Sequence, residues 1–119
     1  MTSEALIKSQ IRLDAGTIPG VKLFNNPVGL AYTRDQTGKY TPIRMGLVPG
    51  SHDLIGWRSV VVTPDMVGTV VAIFSGIEVK NETGRLRPEQ INFDRVLKEA
   101  GGLCGMARSP EDARRILGV

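Results

Sequence analysis

The fold is decided by the sequence TVVAIFSGIEVK at residues 69–80, the most apolar run in the chain. Its first nine residues are typical of a buried strand, and the run then ends with Glu78 and Lys80 two positions apart. Because side chains alternate along a strand, Glu78 and Lys80 are expected on the same face. A carboxylate and an ammonium group at the end of a core strand indicate a polar site there.

A second acidic residue, Asp53, precedes another apolar stretch at residues 54–62. The turn-like residues 63–68 predict a hairpin between the two stretches, in a register that places Asp53 opposite Glu78, roughly 5 Å apart at Cβ. A bulge at residues 75–76 would shift this register. Two carboxylates that close repel by about 4 kcal/mol at an effective dielectric constant near 20, and a divalent cation relieves the repulsion.

With Lys80 beside them, Asp53 and Glu78 are typical of a metal-dependent phosphodiesterase. The alternative is an exposed Glu78–Lys80 pair at a strand end and an unrelated Asp53 that caps a helix.

Length and composition favour a single domain, residues 1–119. Fifteen Lys and Arg against twelve Asp and Glu give a net charge of +3, which is compatible with nucleic-acid binding without requiring it. The single cysteine, Cys104, excludes an internal disulfide and is expected to be a small buried apolar residue. The N-terminus shows no leader pattern, and the run at residues 69–77 is too short to span a bilayer. A cytoplasmic protein with no membrane partner is therefore expected.

The order of predicted elements indicates an α/β protein with a mixed sheet and flanking helices. A strand at residues 69–80, a helix from Pro88 to a cap at Gly101, and a strand at residues 102–107 predict a βαβ unit with parallel strands. Further strands are predicted at residues 21–25 and 29–33, with a hairpin loop over 33–40, and further helices at residues 3–14 and after the cap Ser109.

Two positions remain open on spacing alone. Glu4 shares a helix stripe with Ile7 and Ile11, so its carboxylate either reaches the helix end or points into a site. Glu89 and Gln90 both lie near the apolar stripe of the predicted helix that begins at Pro88, and spacing does not choose between them.

Together these motifs resemble the VRR-NUC family of the PD-(D/E)xK nuclease superfamily. The matching pieces lie in order along essentially the whole chain: Pro49-Gly50-x-x-Asp53-Leu54-Ile55-Gly56, Ile77-Glu78-Val79-Lys80, Gly84-x-Leu86, Gln90, Gly101-Gly102 and Ala107-Arg108-Ser109. The chain departs from the family at its Val-Arg-Arg signature, where Met106-Ala107-Arg108-Ser109 stands. Only the second basic position, Arg108, is retained.

The resemblance implies a restriction-endonuclease-like fold, a mixed β-sheet flanked by helices, and it assigns the site residues. The implied catalytic residues are Asp53, Glu78, Lys80 and Gln90, and the implied metal ligands are Glu4, Asp53, Glu78 and the carbonyl of Val79. The implied cofactor is Mg²⁺, which prefers hard oxygen ligands, with Mn²⁺ as a possible substitute. Basic residues expected to contact DNA are Arg85, Arg87, Arg44 and Lys8.

The implied activity is that of a Mg²⁺-dependent endodeoxyribonuclease acting on branched DNA such as four-way (Holliday) junctions. The expected protein is a homodimer, located in the host cytoplasm if it is phage-encoded. The alternative is a non-catalytic nucleic-acid-binding module derived from a nuclease.

Overall fold

The computed structural model describes residues 3–119; Met1 and Thr2, which belong to the N-terminus where no leader is expected, lie outside the described residues. The elements are α1 (Glu4–Ala15), β1 (Val21–Asn25), β2 (Gly29–Arg34), β3 (Tyr40–Met45), β4 (Leu54–Arg58), a short 3₁₀ helix (Pro64–Met66), β5 (Ser75–Val79), α2 (Pro88–Glu99), β6 (Leu103–Ala107) and α3 (Pro110–Leu117). This is a mixed α/β protein with small sheets and three α-helices, which agrees with the predicted α/β class in general. Within residues 3–119, no helix combines the length and apolar character needed to cross a membrane.

The strands form three two-stranded sheets, and the chain divides into two compact units. The first unit ends at Arg58 and contains α1 and β1–β4. The second unit, Ser59–Val119, contains the 3₁₀ helix, β5, α2, β6 and α3.

In the first unit, α1 begins at a capping serine and β1 pairs antiparallel with β4. Ser3 Oγ accepts a 3.1 Å hydrogen bond from the backbone N–H of Leu6, the usual N-cap arrangement. Leu23 on β1 lies opposite Gly56 on β4. A Cβ at Gly56 would overlap the carbonyl oxygen of Lys22, so this pairing requires glycine there.

The other two strands of the first unit, β2 and β3, form an antiparallel hairpin, as the polar residues 33–40 predict. The Asp35 carboxylate accepts hydrogen bonds of 2.9 Å from the backbone N–H groups of Thr37 and Lys39. Gly38 takes a φ of +89°, a left-handed conformation that favours glycine. Asp35 and Gly38, which lie within the turn, therefore stabilise it through local hydrogen bonds and backbone conformation.

The second unit is the predicted βαβ unit followed by α3. Strands β5 and β6 pair in parallel, and α2 connects them. Leu97 of α2 is 1% exposed, and Cys104 and Ala107 of β6 are also buried. Burial raises the pKa of the Cys104 thiol, and the nearby Asp94 carboxylate adds to the increase. Cys104 is thus the buried small residue that the sequence predicts.

The predicted hairpin between residues 54–62 and 69–80 is wrong. Its two arms are shorter strands with other partners: β4 pairs with β1, and β5 pairs with β6. Residues 59–63 and 67–74 are not in strands. The register that aligned Asp53 with Glu78 across one ladder is therefore not formed. The many β-branched residues of these arms favour extended backbone, but a strand also needs a neighbour, and the neighbours here are β1 and β6.

Candidate functional site

Glu4 and Asp53, two of the predicted metal ligands, line one cavity of the first unit. The cavity has a volume of about 430 Å³, and its other lining residues are Ile7, Lys8, Ile11, His52 and Leu54. Glu4 lies in the first turn of α1, and Asp53 immediately precedes β4. Glu4 is exposed at the position where it lines this cavity.

The segment that carries Asp53 is held by a buried asparagine that sequence reasoning did not select. Asn26 is 6% exposed. Its amide nitrogen donates 2.8 Å hydrogen bonds to Ser51 Oγ and to the carbonyl of His52, and its side-chain oxygen accepts from the N–H of Leu47 at 2.8 Å. The backbone N–H of Asn26 donates to the carbonyl of Asp53 at 2.8 Å. In the sequence Asn26-Pro27 indicated only a break between strands, because its partners are 21–27 positions away and spacing does not reveal them.

In the second unit, Glu78 lies between Lys80 and Gln90. Glu78 Oε1 accepts a 2.7 Å hydrogen bond from Gln90 Nε2 and lies 3.5 Å from Lys80 Nζ. The Lys80 side chain is 18% exposed and that of Glu78 is 37% exposed, so this ion pair is partly shielded from water. Lys80 immediately follows β5, and its ammonium lies on the same side as the Glu78 carboxylate, as the alternation of extended backbone predicts.

Gln90, rather than Glu89, is the helix residue that touches Glu78. The Gln90 side chain also accepts a 2.9 Å hydrogen bond from the N–H of Arg87, so it caps α2 while it holds Glu78. Glu89 instead pairs with Arg87 at 3.2 Å, with both side chains 67% exposed. A small cavity of about 150 Å³ is lined by Glu78, Glu89, Gln90, Phe93 and Asp94.

Val79 can contribute only its backbone to a metal site beside Glu78. Its side chain is 74% exposed, and by the alternation of β5 it points away from the face that carries Glu78 and Lys80. The ligand that the family resemblance implies is its carbonyl, since a valine side chain has no donor atom.

The loop after Lys80 is fixed by Asn81 and Arg108. The Asn81 side-chain oxygen accepts hydrogen bonds from the N–H groups of Thr83 and Gly84, at 3.1 and 2.8 Å. The Arg108 guanidinium donates to the carbonyl of Asn81. Arg108 therefore supports the backbone next to the Glu-x-Lys motif.

The predicted DNA-contacting residues fall in both units. Arg85 and Arg87 are exposed in the loop that precedes α2, and Arg44 is exposed on β3. Lys8 is half-buried and lines the cavity that contains Glu4.

The donor atoms assigned by sequence fit the chemistry of a hard divalent cation, because they are carboxylate and carbonyl oxygens. Their grouping is incomplete: among residues 3–119, no set of three or more His, Cys, Asp or Glu side chains is arranged to hold a metal ion. Glu4 and Asp53 belong to the first unit, and Glu78 belongs to the second.

Comparisons with models of protein families, with curated proteins and with solved structures give no match to this chain.

Proposed function

We propose that this chain is a Mg²⁺-dependent endodeoxyribonuclease of the VRR-NUC type, with a restriction-endonuclease-like fold, that hydrolyses phosphodiester bonds in branched DNA. The single observation that carries the proposal is the arrangement at Glu78. A carboxylate at a strand end, with a lysine on the same face and a glutamine amide on its oxygen, is the arrangement that the sequence resemblance implies. Removing an ion pair from water costs desolvation energy that offsets its attraction, so stability alone does not account for this half-buried pair and its third polar partner.

The proposed metal ligands are Glu4, Asp53, Glu78 and the carbonyl of Val79, with Mn²⁺ able to replace Mg²⁺. Mg²⁺ held by these groups would lower the pKa of a coordinated water and would offset negative charge on the phosphoryl oxygens.

The remaining site residues orient groups and balance charge. The Lys80 ammonium, 3.5 Å from Glu78, is a point charge that binds a phosphodiester oxygen. Gln90 fixes the orientation of the Glu78 carboxylate through its 2.7 Å hydrogen bond. Arg85 and Arg87, both exposed, neutralise phosphates of the DNA backbone.

We also propose that the protein acts as a homodimer in the cytoplasm. Val61 and Val70 in the second unit are 87% and 96% exposed, and such exposed apolar surface favours coverage by a partner protein. A two-fold dimer presents two equivalent sites to the two strands of a symmetric junction. The free thiol of Cys104 suits a reducing compartment.

A second candidate function is a non-catalytic nucleic-acid-binding module. The observation that favours it is the lack, among residues 3–119, of three metal-binding side chains grouped at one point. The presence of Asp53, Glu78 and Lys80 argues against this second function, because a module that no longer cleaves DNA has no need of all three.

One assay separates the two functions. The chain is incubated with an end-labelled four-way junction, a flap and a linear duplex, each with Mg²⁺, Mn²⁺ or EDTA. The proposal expects cleavage of the branched substrates with either metal and none in EDTA. Binding of the same substrates without cleavage under any of these conditions would favour the binding module instead.

A further inference from the structure

The hairpin of β2 and β3, residues 29–45 and here called the ribbon, carries its arginine and tyrosine side chains on one face. Directly opposed residues of an antiparallel pair share a face, and so do residues two apart along a strand. The register therefore puts six side chains together, in the opposed pairs Leu30–Arg44, Tyr32–Pro42 and Arg34–Tyr40.

Both tyrosine rings of this face are open to solvent. Tyr32 is 62% exposed and Tyr40 is 63% exposed. They occupy diagonal positions across the two strands, where residues lie roughly 7–8 Å apart. The guanidinium carbon of Arg34 lies 5.8 Å from the centre of the Tyr40 ring, so a cation–π contact supports that ring.

The opposite face of the ribbon differs in chemistry. It carries Ala31, Thr33, Thr41, Ile43 and Met45, which include no aromatic and no charged side chain. Aromatic and basic groups are therefore concentrated on one face, and the other face supplies a matched control.

The ribbon carries a net positive charge. Residues 29–45 contain the basic residues Arg34, Lys39 and Arg44 and a single acidic residue, Asp35. The Asp35 carboxylate accepts hydrogen bonds from Thr37 and from the N–H of Lys39, so it is used in building the turn. The tyrosine face thus complements a polyanion that also offers flat rings.

We propose that this face of the ribbon binds single-stranded DNA, with Tyr32 and Tyr40 stacking on two unpaired bases and Arg34 and Arg44 contacting phosphates. Stacking needs the exposed face of a base, which paired bases inside a duplex do not offer, whereas single strands bind through aromatic platforms in basic surroundings. The inference rests on the proposed function in one respect: the bound single strand is taken to be the unpaired nucleotides beside a branch in the nuclease substrate. The binding itself requires neither metal nor catalysis.

The test measures binding of a fluorescein-labelled thymidine oligonucleotide by anisotropy in EDTA. Base stacking on an aromatic residue implies that Tyr32→Ala or Tyr40→Ala each weakens binding by about 5-fold to about 100-fold. Tyr32→Phe and Tyr40→Phe keep the ring and are expected to bind within about 2-fold of the parent chain, because stacking does not use the hydroxyl. Thr41→Ala, on the opposite face, is expected to bind as the parent does.

The salt dependence tests the arginines separately. For single strands, the slope of log K against log salt changes by about 0.7 for each phosphate contact. Arg34→Gln and Arg44→Gln are each expected to reduce the slope by about that amount. Arg95→Gln, which removes an exposed residue of α2 paired with Glu99, is expected to leave it unchanged.

Photo-crosslinking of the unmodified chain to a bromouracil oligonucleotide avoids any effect of substitution on folding. The proposal expects crosslinked peptides from residues 29–45. Crosslinks found only elsewhere, equal loss of binding in the Ala and Phe variants, or equal loss in Thr41→Ala would overturn it. None of these measurements depends on cleavage. Single-strand binding by the ribbon without nuclease activity would count against the proposed enzyme but support the ribbon site. Nuclease activity without single-strand binding by the ribbon would count against the ribbon site but support the enzyme.

Discussion

Gln90 Nε2 donates a 2.7 Å hydrogen bond to Glu78 Oε1, and so joins the start of α2 to the end of β5. The same side chain accepts from the N–H of Arg87. A single glutamine therefore both caps a helix and sets the orientation of a carboxylate. This relationship links the fold of the second unit to the proposed chemistry of Glu78.

Replacement of Gln90 by alanine is expected to reduce nuclease activity by about 10-fold to about 100-fold, the usual cost of removing a group that orients a metal ligand. The physical reason is that the Glu78 carboxylate loses its neutral donor and is left with Lys80 alone. The measurement is the initial rate of junction cleavage across a Mn²⁺ titration, in which a loosened ligand shifts the half-saturating concentration of metal upwards.

Glu89→Ala is the matched control for this prediction. Glu89 lies next to Gln90 on the same helical turn but pairs with Arg87 on the surface. A rate and a metal dependence like those of the parent chain are expected. If Glu89→Ala and Gln90→Ala lose activity equally, the hydrogen bond to Glu78 is not what matters.

Asn26→Ala is expected to lower the free energy of unfolding by about 1–3 kcal/mol, because it leaves the N–H of Leu47 and the carbonyl of His52 without their partner. Asn25→Ala, at the exposed neighbouring position, is expected to change stability by less than about 0.5 kcal/mol. Urea denaturation of both variants checks the difference. Equal stability of the two would show that Asn26 does not hold the segment before Asp53.

Local signals in the sequence predicted most elements of both units. Ser3 and Pro88 mark helix starts, and the polar loop with Gly38 marks a hairpin, because capping and turn chemistry act over a few residues. The pairing of β4 was not predictable in this way. Its partner β1 is selected by the close approach that Gly56 allows, and nothing near Gly56 in the sequence indicates the strand that approaches it.

In the candidate site, too, features set by nearby residues were predictable and features set by distant contacts were not. The shared side of Glu78 and Lys80 followed from strand alternation, since that rule needs only two nearby positions in extended backbone. Spacing did not choose between Gln90 and Glu89, because both residues lie near the same helix stripe. The family resemblance implied Gln90, and in the structure Gln90 is the residue that donates a hydrogen bond to Glu78. The support that Asn26 gives to the segment before Asp53 was not predicted, because its hydrogen-bond partners are distant in the sequence. The pairing of β4 with β1 was missed for the same reason.

Because Val61 and Val70 of the second unit are exposed, we expect a dimer whose interface includes them. A charge introduced at either position is expected to disrupt that dimer. The parent chain is expected to be dimeric by light scattering coupled to size-exclusion chromatography. Val61→Glu or Val70→Glu is expected to give monomer, because each would place a charge in the exposed apolar surface that the proposed dimer buries. Leu13→Glu, at a position 75% exposed on α1, serves as the control and should remain dimeric. A monomeric parent chain would refute the proposed homodimer.

The Asp112 carboxylate predicts a loss of stability at low pH. The hydrogen bond from the N–H of Arg108 lowers the pKa of Asp112, and Arg115 contributes to the same shift. Because the folded pKa lies below the unfolded value of about 3.9, the stabilisation is complete above that value and is lost as the pH falls through the folded pKa. The free energy of unfolding is therefore expected to fall below about pH 4.

Asp112→Asn should show a weaker pH dependence in this range, as measured by urea denaturation between about pH 2 and pH 6. Glu111→Gln, at the adjacent exposed position, should retain the dependence of the parent chain. An Asp112→Asn curve that parallels the parent curve would show that this carboxylate does not contribute.

The decisive measurement is the rate of four-way-junction cleavage in Mg²⁺ by Glu78→Gln and Asp53→Asn. The control is Glu82→Gln, in the exposed loop after β5. Each of the first two substitutions preserves shape and removes the negative charge that a metal requires. Both are expected to lose about 100-fold or more in rate, whereas Glu82→Gln is expected to keep the parental activity. Junction binding is expected to be unchanged in all three. Full cleavage by Glu78→Gln would contradict the assignment of this chain as a metal-dependent nuclease that works through Glu78.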